Sequence, residues 1–117
     1  MKLDLDPESR VPLYEQIAVG VREAIADGSL AAGSPLPTGG ELAEELGVQR
    51  YTVLRAYSRL RDEGLVDVRP RRGAVVRLDA DPARSHLLTL ARSMAAEARR
   101  QGLSDAELVE LVRDAYS

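Results

Sequence analysis

The chain has no cysteine, which excludes disulfides and thiolate-bound metal. It has one histidine, His86, so a metal site would have to draw its remaining ligands from carboxylates, and His86 is read as a helix-surface residue without a functional role. No apolar run exceeds a few residues, far short of the ~20 that a membrane-spanning helix needs. The opening MKLDLDPESR is too polar to serve as a secretory signal. Internal repeats and low-complexity stretches are absent, as are a Ser/His/Asp set, a glycine-rich phosphate loop and an isolated carboxylate pair. Neither an enzyme nor a cofactor is therefore expected. The implied protein is cytoplasmic, and 117 residues leave room for one domain with a modest core.

What is present is concentrated in residues 41–66, ELAEELGVQRYTVLRAYSRLRDEGLV. A short helix with an apolar period leads to a turn at Gly47 and Val48. A second helix follows, with Val53, Ala56, Tyr57 and Leu60 on one stripe and Arg50, Tyr51, Thr52, Arg55 and Arg59 off it. This is the pattern of a helix-turn-helix DNA reader. The next segment, VDVRPRRGAVVRL, alternates apolar and basic residues around a glycine-containing turn, which predicts a β-hairpin. Helix-turn-helix plus hairpin is a winged helix, so the expected fold class is α+β.

Helical spacing of Tyr14, Ile17, Ala18, Val21, Ala24 and Ile25 predicts a first helix from Val11 to Asp27, with Pro12 in its first turn and Gly28 ending it. The stretch SLAAGSPLP is turn-rich and leads to Thr38, which with Glu41 makes a capping box for a helix ending near Leu46. The recognition helix is expected over Arg50 to Glu63, with Gly64 as its left-handed cap, and wing strands over Leu65 to Val68 and Ala74 to Leu78. These elements define a DNA-binding domain over residues 8–79.

A tail over residues 81–117 begins with Asp81-Pro82, an N-cap followed by a first-turn proline, and runs as a helix to about Gln101. Ser104 and Glu107 form a second capping box ahead of a last helix. Leu87, Leu90, Ala91, Met94 and Ala98, with Leu108, Leu111 and Val112, give the tail apolar stripes. Two helices of this length cannot bury such stripes between themselves. Either the winged domain covers them or a second copy of the chain does; a homodimer is the favoured reading, since a two-fold DNA reader gains affinity and spacing information from pairing.

The formal net charge of −3 becomes compatible with a nucleic-acid partner once the charges are located. Residues 49–77 carry eight arginines against Asp62, Glu63 and Asp67, a local +5, while the remainder carries −8. A duplex needs a basic surface only where it lies, and an acidic remainder limits non-specific adhesion.

Residues 12–76 resemble the N-terminal domain of GntR-type bacterial transcription regulators. PLYEQI, the turn from Ile25 to Gly33, the LP pair before the second helix, ELAEELGV, the arginine and TV of Arg50 to Val53, and RLRDEGLV carry the resemblance in order and spacing. The short tail is similar to the YtrA-type branch, in which two helices stand where other branches have a large effector domain. That likeness implies a homodimeric, sequence-specific regulator, most simply a repressor on an inverted-repeat operator. Three departures stand out. Where the family has serine and, two residues on, a DNA-contacting arginine, this chain has Thr38, Gly39 and Gly40. The small cap of the recognition helix is replaced by Gln49, a poor cap. The family's Gly-x-Gly-Thr-Phe wing tip becomes Arg71-Arg72-Gly73-Ala74-Val75.

The candidate DNA contacts are Thr38, Gln49, Arg50, Tyr51, Thr52, Arg55, Arg59, Arg69, Arg71, Arg72 and Gly73. Arg50, at the groove-entering end of its helix, can donate bidentately to guanine, with a phosphate contact as the alternative. Gln49 can pair with adenine or simply face solvent. Thr52 is suited to a phosphate or a thymine methyl. Tyr51 can touch backbone or base, and Tyr57 belongs to the core. Arg55 and Arg59 are placed to follow phosphates, with Glu63 a further partner for Arg59 at i+4. Arg69, Arg71 and Arg72 can reach phosphates or the minor groove, a solvated turn being the alternative. Two other functions stay open: a regulator with a small effector pocket between tail and winged domain, and a winged-helix protein-interaction module.

Overall fold

The computed structural model describes residues 3–117. Helix α1 spans Leu13–Asp27 and ends at Gly28, whose φ of +88° is left-handed. It starts later than expected: Pro12 is the N-cap residue, extended at ψ 148°, rather than a first-turn residue. Helix α2 (Gly39–Leu46) opens with the expected capping box, in which Thr38 accepts from the Glu41 amide while the Glu41 carboxylate accepts from the Thr38 amide. Helix α3 (Arg50–Asp62) has no side-chain cap from Gln49. At its far end Gly64, φ +78°, allows the Leu65 amide to reach the Leu60 carbonyl and its own amide to reach Arg61, a Schellman closure.

The wing strands are β2 (Val66–Arg69) and β3 (Gly73–Val76), antiparallel with Val66 opposite Val76 and Arg69 opposite Gly73. A strand that sequence reasoning assigned to turn, β1 (Pro35–Leu36), pairs on the other side of β3, giving the order β1-β3-β2. Two residues carry no detectable alternation, and only the free edge of β3 makes them a strand. Tyr57 secures this strand: buried in α3, it donates its hydroxyl to the Pro37 carbonyl at 2.7 Å. Burial, with Glu41 and Glu45 nearby, pushes that phenol well above its ordinary range.

The core collects Ile17, Val21 and Ile25 of α1, Leu42 of α2, Val53, Ala56 and Leu60 of α3, and Val66 and Val76 of the sheet. Helices α4 (Pro82–Arg100) and α5 (Asp105–Tyr116) follow, and both start on their expected caps, Asp81 and Ser104. One face of α4 packs along α1. Ser85 is buried there with its hydroxyl donating to the Arg22 carbonyl at 2.8 Å, and Leu88 leans on the core. The opposite face is bare, with Leu87 62%, Leu90 50% and Met94 45% exposed, and Leu111 and Val112 on α5 are exposed too. The two coverings weighed for the tail are therefore not exclusive, because different faces of α4 are concerned. Ala98 departs from expectation: it is buried within the chain, at the turn where the Leu103 amide bonds the Ala98 carbonyl, and so is not on the bare face.

Candidate nucleic-acid interface

The turn Gly47-Val48-Gln49 sets α3 against α2 so that the N-terminal ends of both helices and the wing turn border one cleft of about 300 Å³. Its walls include Thr38, Gly39 and Gly40 from the start of α2, Arg50 and Leu54 from α3, and Arg69 to Arg71 from the wing. Amides of a first helical turn have no intrahelical acceptor, so both helix starts present N–H donors and positive dipole ends toward anions.

The eight arginines of residues 49–77 fall into two groups. Arg50, Arg69, Arg71 and Arg72 are exposed and make no ion pair among the described residues. The other four have partners. Arg55 stacks its guanidinium 3.9 Å from the centroid of the Tyr14 ring, and Arg59 lies 5.6 Å from the same ring with its Nη1 3.3 Å from Glu15. Arg61 pairs with Asp62, and Arg77 with Asp79 and Asp67. Bonding to Asp79 first, and then the two carboxylate charges, raises the Arg77 pKa above its ordinary value. Three of the arginines left for phosphate, Arg50, Arg69 and Arg71, line the cleft, and Arg72 follows them on the wing turn.

One expected ion pair is absent, and one expected contact residue has a further constraint. Arg59 does not pair with Glu63 one turn on, because Glu63 is taken by Arg22 and Arg92 from other helices. Gly73 lines the cleft yet is buried: a β-carbon there would lie 2.5 Å from the Pro37 carbonyl oxygen, so the approach of this segment needs the bare glycine. Tyr51 is 69% exposed at the start of α3, Gln49 is exposed beside it and Thr52 is half-buried. Thr38 lines the cleft although its oxygen already accepts the capping bond.

The wing turn runs Arg69-Pro70-Arg71-Arg72, closed by the Arg72 amide on the Arg69 carbonyl at 3.1 Å. Arg71 is the one non-glycine among the described residues with positive φ, +63°. Proline then a left-handed residue is the type II arrangement, which ordinarily takes glycine second. An arginine held there costs about 1–2 kcal/mol of backbone strain, so charge at the wing tip is kept against local preference.

Sequence reasoning missed Arg22, the largest wholly buried side chain, which bonds Glu15 at 2.7 Å and Glu63 at 2.8 Å. Burial disfavours its charge, yet the bonds to Glu63 and Glu15 more than offset this and its pKa is raised. A signal existed: Arg22 falls among Ala18, Val21 and Ile25 on the apolar stripe of α1, where a lone charge implies a buried partner.

The profile described as bacterial regulatory proteins, gntR family, matches residues 13–76. The chain belongs to the GntR family. It is 32% identical over 105 residues to the HTH-type transcriptional regulator Rv1152 of Mycobacterium tuberculosis, covering 90% of this chain and 86% of that protein. With Rv0494 of the same organism, an uncharacterized HTH-type transcriptional regulator, it shares 42% over 71 residues, covering 61% of this chain but spanning only 29% of that relative's length. YtrA from Sulfolobus acidocaldarius, a GntR-family transcription factor, superposes with a TM-score of 0.62 at 39% identity, covering 80% of this chain and 97% of that one. The DNA-binding domain of AraR in complex with operator ORX1 superposes at 0.56 with 29% identity over 63% of this chain and 92% of that one. The likeness to Rv1152 and YtrA extends past the winged helix into the tail, which places the chain with the YtrA-type members. As a GntR-family member it is a DNA-binding transcription regulator, not an enzyme. No helix among the described residues is long and apolar enough to cross a membrane.

Proposed function

We propose that the protein is a homodimeric repressor that binds an inverted-repeat operator in the cytoplasm and acts by occluding the promoter. The carrying observation is that Arg50, Arg69 and Arg71 line the cleft between α2, α3 and the wing, with Arg72 next to them on the wing turn, and that none of the four has an ion pair among the described residues. Arg50 reads a base edge in the major groove, while Arg69, Arg71 and Arg72 grip phosphates flanking it. Tyr51, Thr52, Gln49 and Thr38 complete the contact surface, and Arg55 and Arg59 support it from their stacking against Tyr14. The bare face of α4, Leu87, Leu90, Ala91 and Met94, with Leu108, Leu111 and Val112 of α5, pairs with the same face of a second copy, giving a winged-helix unit over 8–79 and a pairing tail over 81–117.

Selection of bound duplexes from a random pool, using the full chain, tests this together with light scattering. The expected motif is two-fold symmetric with half-sites about 34 Å apart, and the expected mass is near twice 12.7 kDa. A monodisperse monomer at micromolar concentration would rule out the dimer, and a pool without enrichment would rule out sequence-specific reading.

A further inference from the structure

A separate void of about 260 Å³ opens between the start of α1 and the middle of α4, away from the residues that line the DNA cleft. Val11, Pro12, Val19 and Ala96 give it an apolar lining. Three arginines, Arg10, Arg92 and Arg100, stand around it. The lone carboxylate in its wall, Glu15, is already committed to Arg22 at 2.7 Å and Arg59 at 3.3 Å. Arg92 uses its Nε on Glu63 at 3.1 Å, and its two terminal nitrogens make no hydrogen bond among the described residues. Arg100 pairs with Glu97, and Arg10 makes no ion pair among the described residues, although its charge reaches Glu97. Thr89, also in the wall, has its Oγ1 shielded from solvent with no hydrogen-bond partner, the one buried side-chain oxygen or nitrogen so left among the described residues.

We infer that this void is a binding site for a small amphipathic carboxylate, whose saturated tail lies against the apolar lining and whose head group is taken by Arg92 and Arg10. The void lies just below the usual volume of ligand pockets, ~300–1,000 Å³, so the tail is limited to a single unbranched chain of medium length, such as that of octanoate. Net positive charge in the lining selects an anion, apolar walls select against a bare inorganic one, and arginine forks match a planar carboxylate bidentately. Thr89 supplies a hydroxyl that gains a partner when the site fills.

The site deepens the regulatory reading and rests on it for its consequence. Arg92 bonds the carboxylate of Glu63, the C-cap residue of recognition helix α3. A head group on the terminal nitrogens of Arg92 shares that guanidinium's charge with Glu63, and so weakens the ion pair that links the tail to that helix. Occupancy of the void and the seating of α3 on DNA are thereby coupled, and each ligand weakens the other.

Octanoate is the probe, with octanol and sulfate as tail-only and anion-only controls, titrated into the full chain by calorimetry. Saturable octanoate binding is expected, with octanol and sulfate at least about tenfold weaker, a difference of about 1.4 kcal/mol. Ala96→Leu, which fills the void, and Arg10→Gln, a change at an exposed side chain, should each weaken octanoate about tenfold. Thr89→Val gives a third, nearly isosteric variant in case the leucine does not fold. Non-saturable binding, sulfate as tight as octanoate, or wild-type affinity in Arg10→Gln and Thr89→Val together would overturn the site. Affinity for the selected operator should fall several-fold at saturating octanoate; an unchanged affinity would overturn the coupling. Duplex binding measured without octanoate tests the regulatory reading on its own, so failure of one does not mimic failure of the other.

Discussion

Arg22 Nε donates to Glu63 Oε1 at 2.8 Å across 41 residues of sequence, joining the middle of α1 to the C-cap of α3 with Arg22 wholly buried. An ion pair of this kind adds little net stability against an apolar replacement of its shape, but removing one partner strands the others. Arg22→Ala leaves Glu15 and Glu63 without their shared cation. The expected loss is about 3–5 kcal/mol of unfolding free energy, read from urea denaturation. A loss below about 1 kcal/mol would mean that Arg59 and Arg92, which also pair with these carboxylates, suffice for them together with water.

Gly73→Ala puts a β-carbon 2.5 Å from the Pro37 oxygen at a residue whose φ is +78°. Neither backbone can yield without breaking the pairing of β1 with β3, so a destabilisation of about 2 kcal/mol or more is expected. Thermal unfolding measures it. A melting temperature equal to the parent's would show that β1 detaches freely.

Arg50→Ala and Arg71→Gly should separate the two kinds of DNA contact. The first is expected to cost about 1–3 kcal/mol on the selected operator and much less on random duplex. The second relieves the strained φ of +63°, so the melting temperature should not fall. Its affinity for every duplex should nevertheless drop, with the salt slope smaller by about one unit. Equal losses on specific and random duplexes for Arg50→Ala would reassign that residue to phosphate.

Gly40→Arg restores a donor where the family carries one. The structure has room for it: nothing lies within 4 Å of a β-carbon built at Gly40, whereas one at Gly39 would meet Leu54 at 2.7 Å. Tighter DNA binding at fixed salt is expected, helped by the loss of a flexible glycine from α2. Weaker or unchanged affinity would mean that α2 docks differently here.

Glu41 and Glu107 should titrate below ordinary glutamates, because each carboxylate accepts from a capping backbone amide, Thr38 or Ser104, and each capping side chain contributes as well. Their folded pKa values lie below the unfolded ones, so the stabilisation is present above the ordinary carboxylate range and is lost as pH falls through the folded values. Side-chain carboxyl shifts followed by NMR over an acid titration check this. Ordinary glutamate values at both positions would mean that the boxes are open in solution.

The elements readable in the sequence are those governed by short spacing. The boxes Thr38/Glu41 and Ser104/Glu107 and the turn at Gly64 need only residues within one helical turn of each other. The stripe of Val53, Ala56, Tyr57 and Leu60 repeats at helical period and duly became core. Helical spacing placed Arg50 at the start of α3, alternation of apolar and basic residues placed the wing, and Gln49 proved a helix start without a side-chain cap.

Tertiary structure decided the rest, because the remaining choices lay between partners distant in sequence. Glu63 lies four residues after Arg59, yet its carboxylate goes to Arg22 and Arg92, where burial makes an unpaired charge more expensive than on an open helix face. Arg55 and Arg59 belong to the same basic run as Arg71, but Tyr14 and Glu15 of α1 engage them while Arg71 has no ion pair among the described residues. Composition determined that residues 49–77 are basic; packing determined which of those charges remain available. The apolar stripes of the tail were equally plain in the sequence. That one face of α4 would be satisfied by α1, with Ser85 buried against the Arg22 carbonyl, and the other left bare follows only from the angle at which the chain returns after β3.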